Sequence, residues 1–294
     1  DEVVAGGYGT VKKSDLTGSI GSVDAKLISA TLATDAGGAI QGKIAGVNIT
    51  KNVARPGSGF SINIRGLSSI NHSNTPLYVI DGIPTTTGMT DINPEDIEKI
   101  DILKDASATA IYGSRGANGV VIITTKKGKA GKFSIQYDGS YGFRTTSNLP
   151  DIMNGPEYVK WRTDLYTNQG KSTARTNADF FTSEEWDVID QGKYTDWMDL
   201  VFRKGFQTSN TLTASGGDEK GTFALSLGQL KEEGTFSGQD YSRYNMRLNL
   251  SRKFLDKWEA GGNLYFTNSV QNIGSYETVR STYRLPPVGI PYNA

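Results

Sequence analysis

Five segments in the second half of the chain alternate apolar with polar residues, and this alternation restricts the possible folds more than any other feature of the sequence. Four segments are clear, over residues 133–144, 223–228, 244–251 and 258–267, and a weaker one covers 206–214. Successive side chains of a β-strand point to opposite faces, so each segment predicts a strand with one apolar and one polar face. The first segment has the length, roughly ten residues, with which a tilted strand crosses a bilayer.

The connections between these strands have unequal lengths. Thr145–Gly205 joins the first two strands, Gly216–Lys220 the next two, Lys231–Ser242 the third and fourth, and Lys253–Lys257 the last two. Long and short connections in turn are typical of outer-membrane barrels, which have long extracellular loops and short periplasmic turns. Aromatic residues near strand ends, such as Trp258, fit the interfacial girdles of these barrels. We therefore predict an antiparallel transmembrane β-barrel that begins near residue 130.

Five strands cannot close such a barrel. An open strand edge in lipid leaves backbone N–H and C=O groups unpaired, which costs several kcal/mol for each group. We therefore expect a further segment to complete the barrel. A soluble sandwich also alternates, so a binding protein or adhesin with a soluble β-domain is a second interpretation, which would need no detergent.

The first 129 residues predict a small mixed α/β domain. Short strand-like runs bounded by turn residues occur at 47–49, 61–65, 77–80, 99–102 and 120–125. Asn93 and Pro94 are typical of the start of a helical turn, and Asp105 is a good N-cap for a short helix over Ala106–Tyr112. An α/β domain that precedes a wide barrel is expected to lie inside it as a plug.

Three glycines, Gly113, Gly116 and Gly119, are spaced by three and lie between this short helix and the strand at 120–125. A phosphate-binding loop runs from a strand into a helix, because the helix N-terminus holds the phosphate. Here the order is reversed, and the partial charge at the helix C-terminus is negative. We therefore interpret the glycines as a helix cap and tight turns that allow close backbone approach.

Composition argues against an enzyme and against a nucleic-acid partner. The 294 residues contain no cysteine and one histidine, His72, which makes a His-based triad or a multi-His metal site very improbable. Thirty-one basic residues balance 31 acidic ones, so the chain lacks the basic footprint of nucleic-acid binding. No apolar run approaches the roughly 20 residues of a membrane helix. We expect no catalytic residue, no metal and no cofactor.

Two stretches in the first domain resemble a known family. TPLYVIDGIP (Thr75–Pro84) and DINPEDIEKIDILKDASATAIYGSRGANGVVIITTKKGK (Asp91–Lys129) are similar to the plug of TonB-dependent outer-membrane transporters, in detail to the SusC/RagA branch of Bacteroidetes. The opening DEVVAGGYGTVKKSDLTGSI (Asp1–Ile20) resembles the segment that begins with the TonB box, although Ala5-Gly6 interrupts the usual run of valines. The resemblance implies a TonB-box-like lead-in over 1–20, a plug over 21–129 and, over 130–294, the start of a barrel of about 22 strands.

The resemblance also implies a function and partners. Such transporters import nutrients across the bacterial outer membrane with energy delivered by TonB, and they work with a SusD-like surface lipoprotein that acts as a lid. The expected cargo is an oligosaccharide, with a peptide, or a siderophore or cobalamin, as alternatives. The expected assembly is a dimer of SusC/SusD-type pairs in outer-membrane lipid. TonB would add as a strand to Asp1, Glu2, Val3, Val4 and Ala5.

Further residues receive roles beside this resemblance. Arg65 and Arg115 are candidate plug–barrel ion-pair donors, and Asp81 is interpreted as a turn former rather than an acid catalyst. Substrate contact is assigned to Asn71, His72 and Asn74 in the polar loop 68–75, because amide and imidazole groups suit sugar hydroxyls. The long first loop predicts helices over Pro156–Tyr166 and over Ser183–Ile189 with Ser183 as N-cap. Its aromatic residues, which could stack on sugars, contact the lid or pack together, are Trp161, Trp186, Tyr194 and Trp197.

Overall fold

The fold is taken from a computed structural model that describes residues 3–6, 9–12, 20–31, 33–51, 53–64, 66, 75–85, 88–131, 133–254 and 258–291. The chain forms two compact units. The first contains Asp1–Gly142, Gln207–Glu232 and Asp240–Gln271, and the second contains Phe143–Phe206, Glu233–Gln239 and Asn272–Ala294. Within the described ranges, the helices are too short or too polar to cross a membrane.

The first part of the chain folds as the mixed α/β domain that the sequence predicts. Its strands are β1 (Val3–Gly6), β2 (Gly9–Lys12), β3 (Ile20–Asp24), β4 (Val47–Thr50), β5 (Ser61–Ile64), β6 (Leu77–Ile80), β7 (Ile83–Thr85), β8 (Ile97–Leu103) and β9 (Val120–Thr125). Five of them form a sheet in the order β3-β8-β9-β6-β7, in which β6 and β9 are parallel and the other pairs are antiparallel. Two-stranded sheets β1-β2 and β4-β5 accompany it.

Short helices cover this sheet. They are α1 (Ala25–Ser29), α2 (Ala36–Ile40), α3 (Ala106–Thr109) and 3₁₀ turns at Met89–Asp91, Pro94–Asp96 and Ala110–Gly116. Asp24 and Asp35 cap α1 and α2 through carboxylates that accept backbone N–H bonds. Aliphatic residues of the central strands, such as Ile97, Ile100 and Val121, are fully buried and form the core. The helix that the sequence predicts over Ala106–Tyr112 is an α-helix only over Ala106–Thr109, and it continues as the 3₁₀ turn Ala110–Gly116.

Five long strands form the second sheet of the chain, as the alternation predicts. They are β10 (Ser134–Arg144), β11 (Gly205–Asp218), β12 (Gly221–Glu233), β13 (Gln239–Phe254) and β14 (Trp258–Ile273), paired in chain order. Apolar side chains on one face are exposed: Phe133 by 69%, Tyr141 by 65% and Trp258 by 73%. Polar side chains on the other face of β13 are buried, Arg247 being 2% exposed. This pattern inverts that of a soluble sheet and is typical of a wall that faces lipid outside and a filled lumen inside.

The prediction of a long connection over Lys231–Ser242 is wrong. Strands β12 and β13 extend into it and leave only residues 234–238 as the connection. The polar run around Glu232 looks like a loop, but Glu232 lies on the inner face of the sheet, where its side chain is 1% exposed. Polar residues belong in strands on this face because it meets the plug rather than water or lipid.

The second unit is a helical insertion with its own core. It contains α4 (Gly155–Asn168), α5 (Ser183–Gln191), α6 (Trp197–Val201) and α7 (Tyr276–Thr282). Phe180, Phe181, Val188 and Val288 are its buried centre. Asn154 and Thr182 begin α4 and α5 with capping boxes, so Thr182 rather than the predicted Ser183 is the N-cap. Thr182 is favoured because Glu185 stands three residues after it and can close the box.

Candidate functional site

The inner face of the five-stranded sheet holds the plug through a row of buried polar contacts, and Arg247 of β13 is at its centre. Its Nη2 lies 3.5 Å from Oδ1 of Asp96, and its Nη1 donates to the backbone oxygen of Lys126 at 2.6 Å. Asn245, two residues earlier on the same face, donates to Asp96 Oδ2 at 3.5 Å. Asp96 is buried, so this guanidinium supplies the cation that a buried carboxylate requires.

Arg243, four residues before Arg247 on the same face of β13, makes a second contact with the plug. Its guanidinium donates to the backbone oxygens of Thr90 and Thr34 at 2.5 and 3.1 Å. The carboxylate of Asp35 lies nearby as the cap of α2. Burial raises the pKa of Asp35 above its ordinary value, while the cap bond from Gly38 and the charges of Lys51 and Arg243 act in the opposite direction. β13 therefore places the Arg243 guanidinium beside the helix cap Asp35 and against the backbone carbonyl groups of Thr90 and Thr34.

A third contact involves Asp81, which the sequence analysis interprets as a turn former. It lies in the turn between β6 and β7 with a positive φ of 47°. Its carboxylate accepts hydrogen bonds from the backbone N–H and hydroxyl of Thr125 at 2.9 and 2.7 Å. It also accepts from Asn263 at 3.2 Å and from the hydroxyl of Tyr265, both on β14. Asp81 therefore joins the plug turn to the wall.

Other wall strands contribute further bonds. Asn93 donates to Thr211 Oγ1 of β11 at 2.8 Å, and Glu232 of β12 accepts the N–H of Gly57 at 3.0 Å. A Cβ at Gly57, whose φ is +70°, would lie 2.3 Å from the ring of Tyr241, so this backbone approach requires glycine. The row of contacts thus extends over β11, β12, β13 and β14.

Sequence reasoning did not identify this row. Arg243 and Arg247 are four residues apart on the polar face of a segment whose other face carries Tyr244, Met246 and Leu248. Arginine at two inward positions of a barrel strand indicates buried anionic or carbonyl partners, so the signal was present. The partner Asp96 is 151 residues away along the chain, and no local pattern connects the two.

The three predicted plug glycines lie between α3 and β9. Gly113 and Gly119 have φ values of 61° and 92°, which favour glycine. A Cβ at Gly119 would lie 2.6 Å from Cδ1 of Ile64, so the backbone passes very close to β5. Gly116 is buried against Thr109, where a Cβ would meet the carbonyl oxygen at 3.0 Å.

The other predicted site residues have different outcomes. Arg115 is exposed, and its role as a plug–barrel ion-pair donor stays a prediction. Asp1, Glu2, Arg65, Asn71, His72 and Asn74 lie outside the described residues. Within the described ranges, no group of three or more His, Asp or Glu residues is arranged to hold a metal ion.

The backbone of Val3, Val4 and Ala5 belongs to β1, which pairs with β2. The register is antiparallel, with Val3 opposite Lys12 and Val4 opposite Val11. Residues 3–5 of the predicted TonB-binding segment are therefore already in an extended conformation.

The aromatic residues of the long loop divide between packing and a cavity. Trp186 packs against Phe180 and Phe181 in the core of the second unit. Trp161, Tyr194 and Trp197 line a cavity of about 500 Å³, and the Trp197 indole donates to the oxygen of Pro286 at 2.9 Å. The other side chains around this cavity are mixed: Ile152, Met153 and Leu285 are apolar, while Asp151, Asp196 and Arg284 are charged.

Comparison with known proteins agrees with the plug and wall geometry. The family described as TonB-dependent Receptor Plug Domain matches residues 12–120. TonB-dependent receptor SusC of Bacteroides thetaiotaomicron is 39% identical over 265 residues, which are 87% of this chain and 25% of the relative. TonB-dependent receptor P39 of Formosa agariphila is 37% identical over 98% of this chain and 27% of the relative.

A solved structure extends the likeness to the wall. The RagAB peptide importer in the "open-open" state has a TM-score of 0.81 and 28% identity, over 94% of this chain and 33% of that chain. The chain therefore spans about a quarter of the length of the curated relatives and a third of the solved chain. A plug domain followed by the strands of an outer-membrane barrel is the fold of this chain.

Proposed function

The chain belongs to the SusC/RagA-type TonB-dependent receptors of the outer membrane, and from this premise we propose that it is the plug and first wall of an active nutrient importer. The observation that carries the proposal is the buried polar row that fixes a plug to the inner face of a lipid-facing sheet. A plug held in this way closes the lumen, so passage of cargo requires a change in the plug. The role is transport and not catalysis.

We propose TonB as the source of that change. A strand of TonB would add to the segment Asp1–Ala5 by main-chain hydrogen bonds, as in other cases of β-augmentation. The extended backbone of β1 supports this, because an added strand needs an edge of this kind. A SusD-like surface lipoprotein is the proposed second partner, and a dimer of such pairs is the proposed assembly.

We propose an oligosaccharide as cargo, which is what the resemblance to the SusC/RagA branch implies. A peptide is the second candidate, because the RagAB peptide importer matches over almost the whole chain. The substrate contacts proposed for Asn71, His72 and Asn74 suit sugar hydroxyls but also peptide carbonyl groups. Native mass spectrometry of the detergent-extracted full-length protein distinguishes the two, since co-purified glycans and peptides differ in mass pattern.

The test of TonB dependence uses Val4 in the full-length protein. Val4→Pro removes a backbone N–H and restricts the chain, so strand addition should fail and uptake should be lost. Val4→Thr keeps the N–H and the β-branched shape, so it is the matched control and should transport normally. Both variants should reach the outer membrane in equal amounts, because the substitution lies outside the buried row.

Deletion of Asp1–Ala5 should give the same loss as Val4→Pro. Normal uptake by the deletion variant and by Val4→Pro would show that the segment does not couple the plug to TonB. Extraction of the full-length protein without detergent would contradict the membrane wall itself.

A further inference from the structure

The lipid-facing side of the wall carries a furrow near one edge of the sheet. It has a volume of about 590 Å³ and lies across β11–β14, with Phe223, Leu250 and Phe254 among its side-chain walls. Thr222 and Ser251 hydrogen-bond to each other at 2.9 Å on the opposite, inner face. Because side chains alternate, their neighbours Phe223 and Leu250 point outward, and the furrow opens on the membrane side.

The edge with this furrow is the periplasmic one. The short turn at residues 219–220 lies at this edge, where β13 also ends at Phe254 and β14 begins at Trp258. Short turns are periplasmic in outer-membrane barrels, while long connections are extracellular. The furrow therefore lies at the level of the inner leaflet of the outer membrane.

Two charged side chains line the furrow, those of Arg252 and Asp218. Arg252 follows Leu250 by two residues and so has the same outward direction, two residues before β13 ends at Phe254. A Cβ built at Gly221 would lie 3.6 Å from Cγ of Arg252, so the arginine stem lies over the glycine backbone. Arg252 is exposed and forms no ion pair within the described part of the chain.

An outward arginine is informative because lipid-facing charge is unfavourable. The cost of a lipid-facing arginine is highest at the bilayer midplane and becomes small near the interfaces. At the strand end its stem can lie on apolar surface while the guanidinium reaches the headgroup level. Guanidinium groups bind phosphate through paired hydrogen bonds. The Asp218 carboxylate also lines the furrow, but it accepts the N–H groups of Lys220 and Gly221 at 2.8 Å.

We propose that this furrow is a binding site for a glycerophospholipid of the inner leaflet. The lipid phosphate binds Arg252, and one acyl chain lies along Leu250, Phe254 and the side-chain-free surface at Gly262. The furrow volume is within the range of specific ligand sites. The site holds one lipid in a fixed position, in contrast to the exchanging lipids around the rest of the wall. This inference depends on the membrane position of the wall and not on the transported cargo.

The test measures lipid retention by the full-length protein in nanodiscs that contain phosphatidylglycerol, followed by native mass spectrometry in mild detergent. The wild type should retain one phosphatidylglycerol molecule. Arg252→Gln removes the charge and should lower retention about tenfold, as expected for loss of a charge-assisted hydrogen bond. Diacylglycerol with the same acyl chains lacks the phosphate, so it should be retained no better by the wild type than by Arg252→Gln.

A second variant tests the acyl-chain position. A Cβ at Gly262 would meet no atom within 4 Å, so Gly262→Leu directs an apolar side chain into the furrow without a clash at Cβ. It should abolish retention, whereas Val270→Leu, on the same face of the same strand, should retain lipid as the wild type does. Absence of retained lipid in the wild type, or retention unchanged by either Arg252→Gln or Gly262→Leu, would overturn the proposal.

Discussion

Replacement of Arg247 by methionine tests whether the buried row holds the plug. Methionine keeps much of the apolar length of the side chain but removes the ion pair with Asp96 and the bond to the backbone oxygen of Lys126. Asp96 is buried, so the variant leaves a carboxylate without its cation. Removal of one partner of a buried pair costs about 3–5 kcal/mol.

The assay is amide hydrogen exchange of residues 95–103 in the full-length protein in detergent. Exchange from the native state reports the free energy of local opening. A loss of about 3–5 kcal/mol corresponds to exchange that is faster by about two to four orders of magnitude, since each 1.4 kcal/mol is tenfold. Arg252→Met is the matched control, because it makes the same change on the lipid side of the same strand and should stay within about 0.5 kcal/mol.

A double variant separates loss of the pair from loss of packing. The combination Arg247→Met with Asp96→Asn removes both charges, so exchange should return most of the way to that of the wild type. The reasoning is refuted if Arg247→Met costs less than about 1 kcal/mol, or if the two substitutions simply add.

Three other substitutions test single features of the plug. Gly119→Ala places a Cβ into a 2.6 Å contact at a positive φ and should destabilise the plug by about 1–3 kcal/mol in the same exchange assay, while Gly88→Ala, where a Cβ meets nothing within 4 Å, should not. Gly57→Ala should push the ring of Tyr241 outward and speed exchange of the plug backbone beside β13; unchanged exchange would contradict the close approach. Burial raises the pKa of Asp35, so the folded protein favours the protonated form of this carboxyl group. Its contribution to the free energy of unfolding is fully present below the unfolded pKa and is lost as the pH rises through the folded pKa. Asp35→Asn keeps the cap acceptor without the charge, so the amides of α2 should exchange at pH 7 no faster than in the wild type. The difference between the variant and the wild type should shrink on acidification. Faster exchange of α2 in the variant at pH 7 would refute the direction of the pKa shift.

The wall was predictable from the sequence because its signal is local. Alternation with a period of two is recognised within ten residues, and the lipid-facing side follows it over residues 135–143 of β10 and 258–266 of β14. The same rule failed around Glu232, where polar residues on both sides of the strand resemble a loop. The cap of α5 was misplaced by one residue, although Glu185 stands three positions after Thr182 and not after Ser183.

The plug–wall contacts of the buried row were not predictable, because the two partners of each contact are far apart in the sequence. Asn93 and Thr211 are 118 residues apart, and the partners Asp81 and Tyr265 are 184 residues apart. Helix α2 contains two consecutive glycines and has poor intrinsic propensity. It forms because Gly37 packs closely against Phe60, where a Cβ would lie 2.9 Å from the Phe60 Cβ, and such tertiary contacts override propensity.

The positions of the wall residues of the buried row in the sequence bear on the order of assembly of plug and barrel. Thr211, Glu232, Arg243, Arg247 and Tyr265 all lie on strands that follow the plug directly in the chain. These strands pair in chain order, so the plug contacts the part of the wall that is synthesised immediately after it. We therefore expect that the plug is enclosed by later strands and never threaded into a finished cylinder.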